Sequence, residues 1–180
     1  SKDTPGIVQV INTKTGEKQT LLKAENPLKD YKLGKMTIGT IKADDKKTDL
    51  YYRLIRPADF DPEKKYPVIV YVYGGPHAQL IKNKWLGNTR LWHHYMAQRG
   101  YIMLTVDNRG SANRGLAFEN IIHRQCGKVE MQDQLKGIEL IESLKYADTS
   151  RIGIHGWSYG GFMTTSLLTH HPETFKVGVA

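Results

Sequence analysis

Arg151-Ile152-Gly153-Ile154-His155-Gly156-Trp157-Ser158-Tyr159-Gly160-Gly161 is the stretch on which the fold turns. Its first half, Arg151 to His155, reads as a short buried strand bounded by polar residues. Its second half holds Gly156-x-Ser158-x-Gly160, and the run Phe162 to Leu168 behind it reads as a helix. Strand, sharp turn and helix, in that order, make G-x-S-x-G a nucleophile elbow. The chain there folds close to itself, so Gly156, Gly160 and Gly161 are expected where a side chain would collide. The helix behind the turn offers free N–H groups and a positive dipole end where an oxyanion develops. Without those flanks the same letters would be an anion-binding or merely connecting turn.

Outward from the elbow, strands and helices alternate. Val129 to Tyr146 is the clearest helix, with Met131, Leu135, Ile138, Ile141 and Leu144 recurring on one face. Tyr66 to Tyr73 and Tyr101 to Val106 are near-continuous apolar runs, the pattern of central strands buried on both faces. Between them, Trp85 to Gln98 reads as a helix that Gly100 ends. After the elbow helix Pro172 breaks the chain, and Phe175 to Ala180 begins another strand. This alternation predicts an α/β fold, a mostly parallel sheet with helices on both faces. Earlier, Met36 to Lys42 and Asp49 to Ile55 form a strand pair around the polar turn Ala43 to Thr48.

Ile7 to Asn12 and Gln19 to Leu22 read as a β-hairpin turning at Asn12 to Gly16. A hairpin this small is not stable alone, so it is expected to end a preceding β-domain, with Asn26 to Gly34 as linker. The domain reading is 1–34 for that end and linker, and 35–180 for the first part of an α/β domain.

The 180 residues are 39% hydrophobic and 24% charged, the profile of a globular chain with a real core. No apolar run is long enough to span a bilayer. The net charge of +8 is carried by scattered lysines, and the densest group, Lys42 to Lys47, is interrupted by Asp44 and Asp45. No basic stripe interleaved with aromatics appears, so neither nucleic acid nor membrane contact is read for this segment. The single Cys126 rules out an internal disulfide. Ser1 opens no secretory pattern, and both ends read as cut.

A serine hydroxyl attacks only when a base takes its proton. On this kind of elbow the acid and the imidazole follow the serine in the chain. Only 22 residues follow Ser158, without an Asp and with Glu173 as the sole carboxylate. His170 and His171 end the serine's own helix, about 18 Å away at ~1.5 Å per residue. His155 lies inside the strand, and His77, His93, His94 and His123 show no metal spacing. A nucleophile without its base is expected, and truncation is the simplest explanation. No metal or other cofactor is called for. For the oxyanion, one donor is expected to be the Tyr159 N–H. The second should come from the loop Tyr73-Gly74-Gly75-Pro76, as a backbone N–H or the Tyr73 phenol. Tyr73 would otherwise be an aromatic cap on the core.

These residues resemble the prolyl oligopeptidase family of serine peptidases, most closely its dipeptidyl peptidase IV branch, over roughly Met36 to Ala180. The resemblance rests on Tyr66 to Pro76, Val106-Asp107-Asn108-Arg109-Gly110-Ser111, Glu130-x-x-Asp133-Gln134, and Asp148-x-x-Arg151 through Gly161. It implies an α/β-hydrolase domain preceded by a β-propeller, of which the hairpin would be the remnant. It implies Ser158 as nucleophile, and Tyr73 with the Tyr159 N–H as oxyanion donors. Trp157 and Tyr159 would border the pocket for a proline-sized residue, and Arg109 is taken with them as substrate-binding. The substrate implied is a peptide cut after proline or alanine to release N-terminal dipeptides. The family's Asp and His would lie beyond Ala180. In a bacterium the resemblance suggests a periplasmic, cell-surface or secreted parent, although the segment leaves the cytoplasm open.

Prolyl oligopeptidase or acylaminoacyl peptidase activity, an esterase or lipase on the same fold, and a non-catalytic binding module are the alternatives. The segment alone is expected to be inactive. The parent is expected to self-associate, and in the segment an open sheet edge at Phe175 to Ala180 could do so too.

Overall fold

The computed structural model describes residues 1–180. Two sheets form. β1 (Ile7–Ile11) and β2 (Lys18–Lys23) are an isolated antiparallel hairpin. Asn12 turns it, its Oδ1 accepting from the Lys14 N–H at 2.9 Å, while Gly16 takes φ 75°. Both faces of the hairpin are exposed.

The second sheet is built from β3 (Met36–Lys42), β4 (Asp49–Ile55), β5 (Tyr66–Tyr71), β6 (Ile102–Asp107), β7 (Ala147–His155) and β8 (Val177–Val179). Its spatial order is β3-β4-β6-β5-β7-β8. The β6–β5, β5–β7 and β7–β8 pairs are parallel, whereas β3–β4 and β4–β6 are antiparallel. The sheet is therefore mixed: the parallel half expected from the alternation is extended by an antiparallel strand pair.

The helices are α1 (Leu91–Gln98), α2 (Leu116–Glu119), α3 (Val129–Ser143) and α4 (Tyr159–His170). They cover both faces, as the continuous apolar runs require. Ile102, Leu104 and Val106 of β6 join Val68, Val70, Ile141 and Met163 in the larger core, under α3 and α4. Met103 points the other way and packs with Ile55 and the α1 residue Ala97. Each such buried aliphatic side chain stabilises the fold by about 1.5–3 kcal/mol relative to exposure. No helix is long and apolar enough to cross a membrane.

Two helices differ from expectation. The helix expected from Trp85 begins only at Leu91, because Leu86, Gly87 and Asn88 take φ of 56°, 60° and 62°. A left-handed run cannot propagate a right-handed helix. A tertiary bond holds it there: the buried Arg53 guanidinium donates to the Gly87 carbonyl at 2.7 Å. The second is α3, which stops at Ser143 because Leu144 is extended and Tyr146 binds the sheet through the Tyr66 N–H at 2.9 Å. Its buried residues include Glu130, Asp133 and Gln134, while Met131 and Leu135 of the expected face are only half-buried.

Candidate active site

Ser158 stands between the end of β7 and the start of α4, with φ 58° and ψ −125°. That conformation is disfavoured for any residue bearing a Cβ and costs roughly 1–3 kcal/mol, held in place by its surroundings. The side chain is exposed, and its hydroxyl does not cap the helix it heads. The turn closes through the Gly161 and Phe162 N–H groups, which donate to the Ser158 carbonyl at 2.9 and 3.1 Å. Both flanking segments hug the neighbouring strand. A Cβ on Gly156 would lie 2.4 Å from the Gly160 carbonyl oxygen and 2.5 Å from that of Val72. One on Gly160 would lie 2.3 Å from the same Val72 oxygen. Gly161 is different from the expectation: its nearest neighbour would be 3.6 Å away, an ordinary contact.

The Tyr159 N–H, first in α4, donates to no acceptor in the protein. The Tyr159 ring is half-buried and lies 6.1 Å, centroid to centroid, from the Tyr73 ring. Gly75 admits it, since a Cβ there would sit 2.5 Å from the ring. The Tyr159 hydroxyl donates to Glu130 Oε1 at 2.6 Å. Burial first, then hydrogen bonds involving Cys126 and Glu130, push this phenol up, so it remains a donor. Tyr73, Ser158 and Tyr159 thus gather at the C-terminal ends of the parallel strands β5 and β7, where open α/β sheets bind ligands. Trp157 is on the same turn, 57% exposed, with the Arg90 guanidinium 5.8 Å from its ring centroid.

The loop carrying Tyr73 is anchored by the loop after β6. Asn108 Nδ2 donates to the Gly74 carbonyl at 2.9 Å. Asp107 accepts from the Leu80 and Ile81 N–H groups, each at 2.9 Å. Burial raises the Asp107 carboxyl pKa, and these bonds with the nearby Arg53 charge oppose that rise. Arg109 is brought into this scaffold and not into an open cleft. Its Nε and Nη2 donate to Asp133 at 2.9 and 2.8 Å, and its Nη1 to Asp45 at 3.1 Å. The hydrogen bonds to Asp133 raise the guanidinium pKa further. The structure thus places Arg109, expected as substrate-binding, with its guanidinium turned to Asp133 and Asp45.

No histidine or carboxylate is hydrogen-bonded to Ser158. His155 lies on the α1 side of the sheet, with Tyr71 and Trp92 at ring-centroid distances of 5.5 and 5.3 Å. His170 and His171 end α4 and bond the Ser166 carbonyl and Glu173. Glu130, Asn108 and Gln134, which bond around the elbow and the Tyr73 loop, stand in the sequence motifs without an expected role. The spacing of Glu130 and Gln134, four apart on a helix beside the elbow, was the available signal.

The prolyl oligopeptidase family model matches residues 88–180, more than half of the chain. The chain belongs to the prolyl oligopeptidase family. Within it, human dipeptidyl peptidase 8 is 37% identical over 164 residues, covering 89% of this chain. The mouse prolyl endopeptidase FAP is 36% identical over 157 residues, covering 87%. A Bacteroides ovatus crystal structure assigned as a dipeptidyl aminopeptidase IV superposes over 100% of this chain with a TM-score of 0.98 and 56% identity. Porphyromonas gingivalis dipeptidyl peptidase 4 does so with a TM-score of 0.90 and 35% identity. The chain spans 26% of either solved relative, 18% of the human protein and 20% of the mouse protein.

Proposed function

We propose that this chain is part of a serine peptidase that cuts peptides after proline or alanine and releases N-terminal dipeptides. Ser158 is the nucleophile, and the Tyr159 N–H and Tyr73 hydroxyl receive the oxyanion. One observation carries the reading: an exposed serine on a strained turn, directly followed by an unpartnered N–H on Tyr159, whose ring lies 6.1 Å from that of Tyr73. The names of the family relatives support the substrate class.

In this reading residues 35–180 are the first part of an α/β-hydrolase domain, and 1–34 are the end of a β-propeller with its linker. The separate hairpin sheet, with Ile7, Val10 and Leu22 exposed, supports the latter. The Ser158 oxygen attacks the scissile carbonyl carbon while a histidine takes its proton. The carbonyl oxygen becomes an oxyanion, which donors in place before the reaction stabilise without reorganising. Collapse re-forms the carbonyl, the amine leaves with the histidine's proton, and water then hydrolyses the acyl-enzyme by the same route. The histidine and its aspartate come from residues beyond Ala180, since none of the chain's own imidazoles serves Ser158. The 180 residues alone are then without efficient turnover.

Turnover by the full-length protein tests this. A free N-terminal Xaa-Pro anilide should be cleaved far faster than a short-chain acyl ester, and Ser158→Ala should abolish it. Preference for the ester would move the protein to the esterases, and cleavage of an N-terminally blocked substrate to the endopeptidases.

A further inference from the structure

Three polar side chains occupy the buried face of α3 where apolar ones would be expected. Glu130, Asp133 and Gln134 are 0%, 0% and 1% exposed. Burying such groups is costly, and well-packed apolar residues of similar size are often at least as stable. Glu130 Oε2 and Gln134 Oε1 even lack any protein partner. Asp133 has a structural explanation in Arg109. Glu130 and Gln134 are four apart, so they share one helix face on adjacent turns.

Each reaches a different half of the site. Glu130 Oε1 accepts the Tyr159 hydroxyl at 2.6 Å, and Tyr159 is the residue after Ser158. Gln134 Nε2 donates to Asn108 Oδ1 at 2.8 Å and to the Val106 carbonyl at 3.1 Å. Asn108 Nδ2 in turn holds the carbonyl of Gly74, the residue directly after Tyr73. We propose that Glu130 and Gln134 are positioning residues that fix the two oxyanion donors relative to each other from one rigid helix face. This rests on the reading of Ser158 and its donors given above. The arrangement suits a site in which a misplacement of an ångström costs about 100-fold in rate. It also sets the Tyr159 ring, wedged between Gly75 and Phe162, whose centroid is 5.3 Å away.

The test uses the full-length protein, an Xaa-Pro anilide and a fluorophosphonate probe. Glu130→Leu removes the acceptor and should lower kcat at least tenfold, with a smaller change in KM, because an oxyanion donor acts in the transition state. Glu130→Gln keeps an acceptor oxygen and should recover kcat to within about threefold, a rescue expected if the hydrogen bond matters. Tyr159→Phe should reproduce the loss, and combining it with Glu130→Leu should add little, as for partners in one interaction. Gln134→Leu should lower kcat through the other arm. If Glu130→Leu does not fold, Tyr159→Phe carries the test. Wild-type kcat in both Glu130→Leu and Tyr159→Phe, or no rescue by Glu130→Gln, overturns the positioning role while probe labelling of wild-type Ser158 leaves the serine reading intact. A wild-type protein unlabelled at Ser158 overturns both.

Discussion

Ser158 keeps its unfavourable backbone only because the glycines around it let the turn press against β5. That makes the glycines unequal. Gly156→Ala forces a Cβ against two backbone carbonyl oxygens and is expected to cost about 2–3 kcal/mol of stability. Gly161→Ala meets open contact inside α4 and should be neutral or stabilising by up to ~1 kcal/mol. Urea unfolding of the two variants separates them, and equal losses would contradict the geometry. His93 supplies a pH signature. Burial first, then the charge of Arg53, lowers its pKa to about 3. In the unfolded chain it is ~6.5, so on acidification the unfolded state binds the proton first. The stability present above that value is lost as pH falls toward 3. His94, lowered mainly by burial, acts in the same direction, and Asp107, raised by burial, acts against it. The urea midpoint should therefore fall between pH 7 and pH 4.5, and fall less in His93→Gln. An equal fall in that variant would show that His93 does not titrate as buried.

At the scale of elements, α3 is where the elbow, the Tyr73 loop and the sheet meet. Asp133→Ala would leave Arg109 buried beside a lost partner and is expected to cost about 3–5 kcal/mol. Met131→Ala, on the half-buried flank, should cost clearly less, and denaturant titration of both decides the order. The helix itself was legible from its period, and so was the later part of its inward face, where Ile138 and Ile141 are buried, but the first turns of that face were not. In those first turns apolar periodicity picks Met131 and Leu135 from its Met131-to-Leu144 stripe, whereas the chain buries Glu130, Asp133 and Gln134 there because Arg109, Asn108 and Tyr159 supply partners from distant segments. The false start at Trp85 has the same origin, since Arg53 holds the Gly87 carbonyl across the fold. Strands were read more closely: β3 and β4 match their expected ranges to the residue, because alternation records a local property, the two faces of a pleated strand.

For the molecule as a whole, the parallel half of the sheet and the elbow at its C-terminal rim could be read from sequence, but the antiparallel extension through β4–β6 could not. Which strand sits beside which is a non-local choice that local pattern does not encode. The open features lie at the extremes. β8 pairs on one side only, with Val177 and Val179 63% and 62% exposed, and the hairpin shows Leu21 and Leu22 at 58% and 59%. The isolated chain should therefore self-associate, and Val177→Lys should weaken that association by charging the edge. Sedimentation of a strict monomer at high concentration would contradict this. The central claim is that Ser158 is built to attack a carbonyl. Reaction of the full-length protein with a fluorophosphonate, followed by peptide mapping, tests it most directly. The account predicts one adduct, on Ser158 Oγ, formed in step with loss of peptidase activity; full inactivation with the adduct on another residue would contradict it.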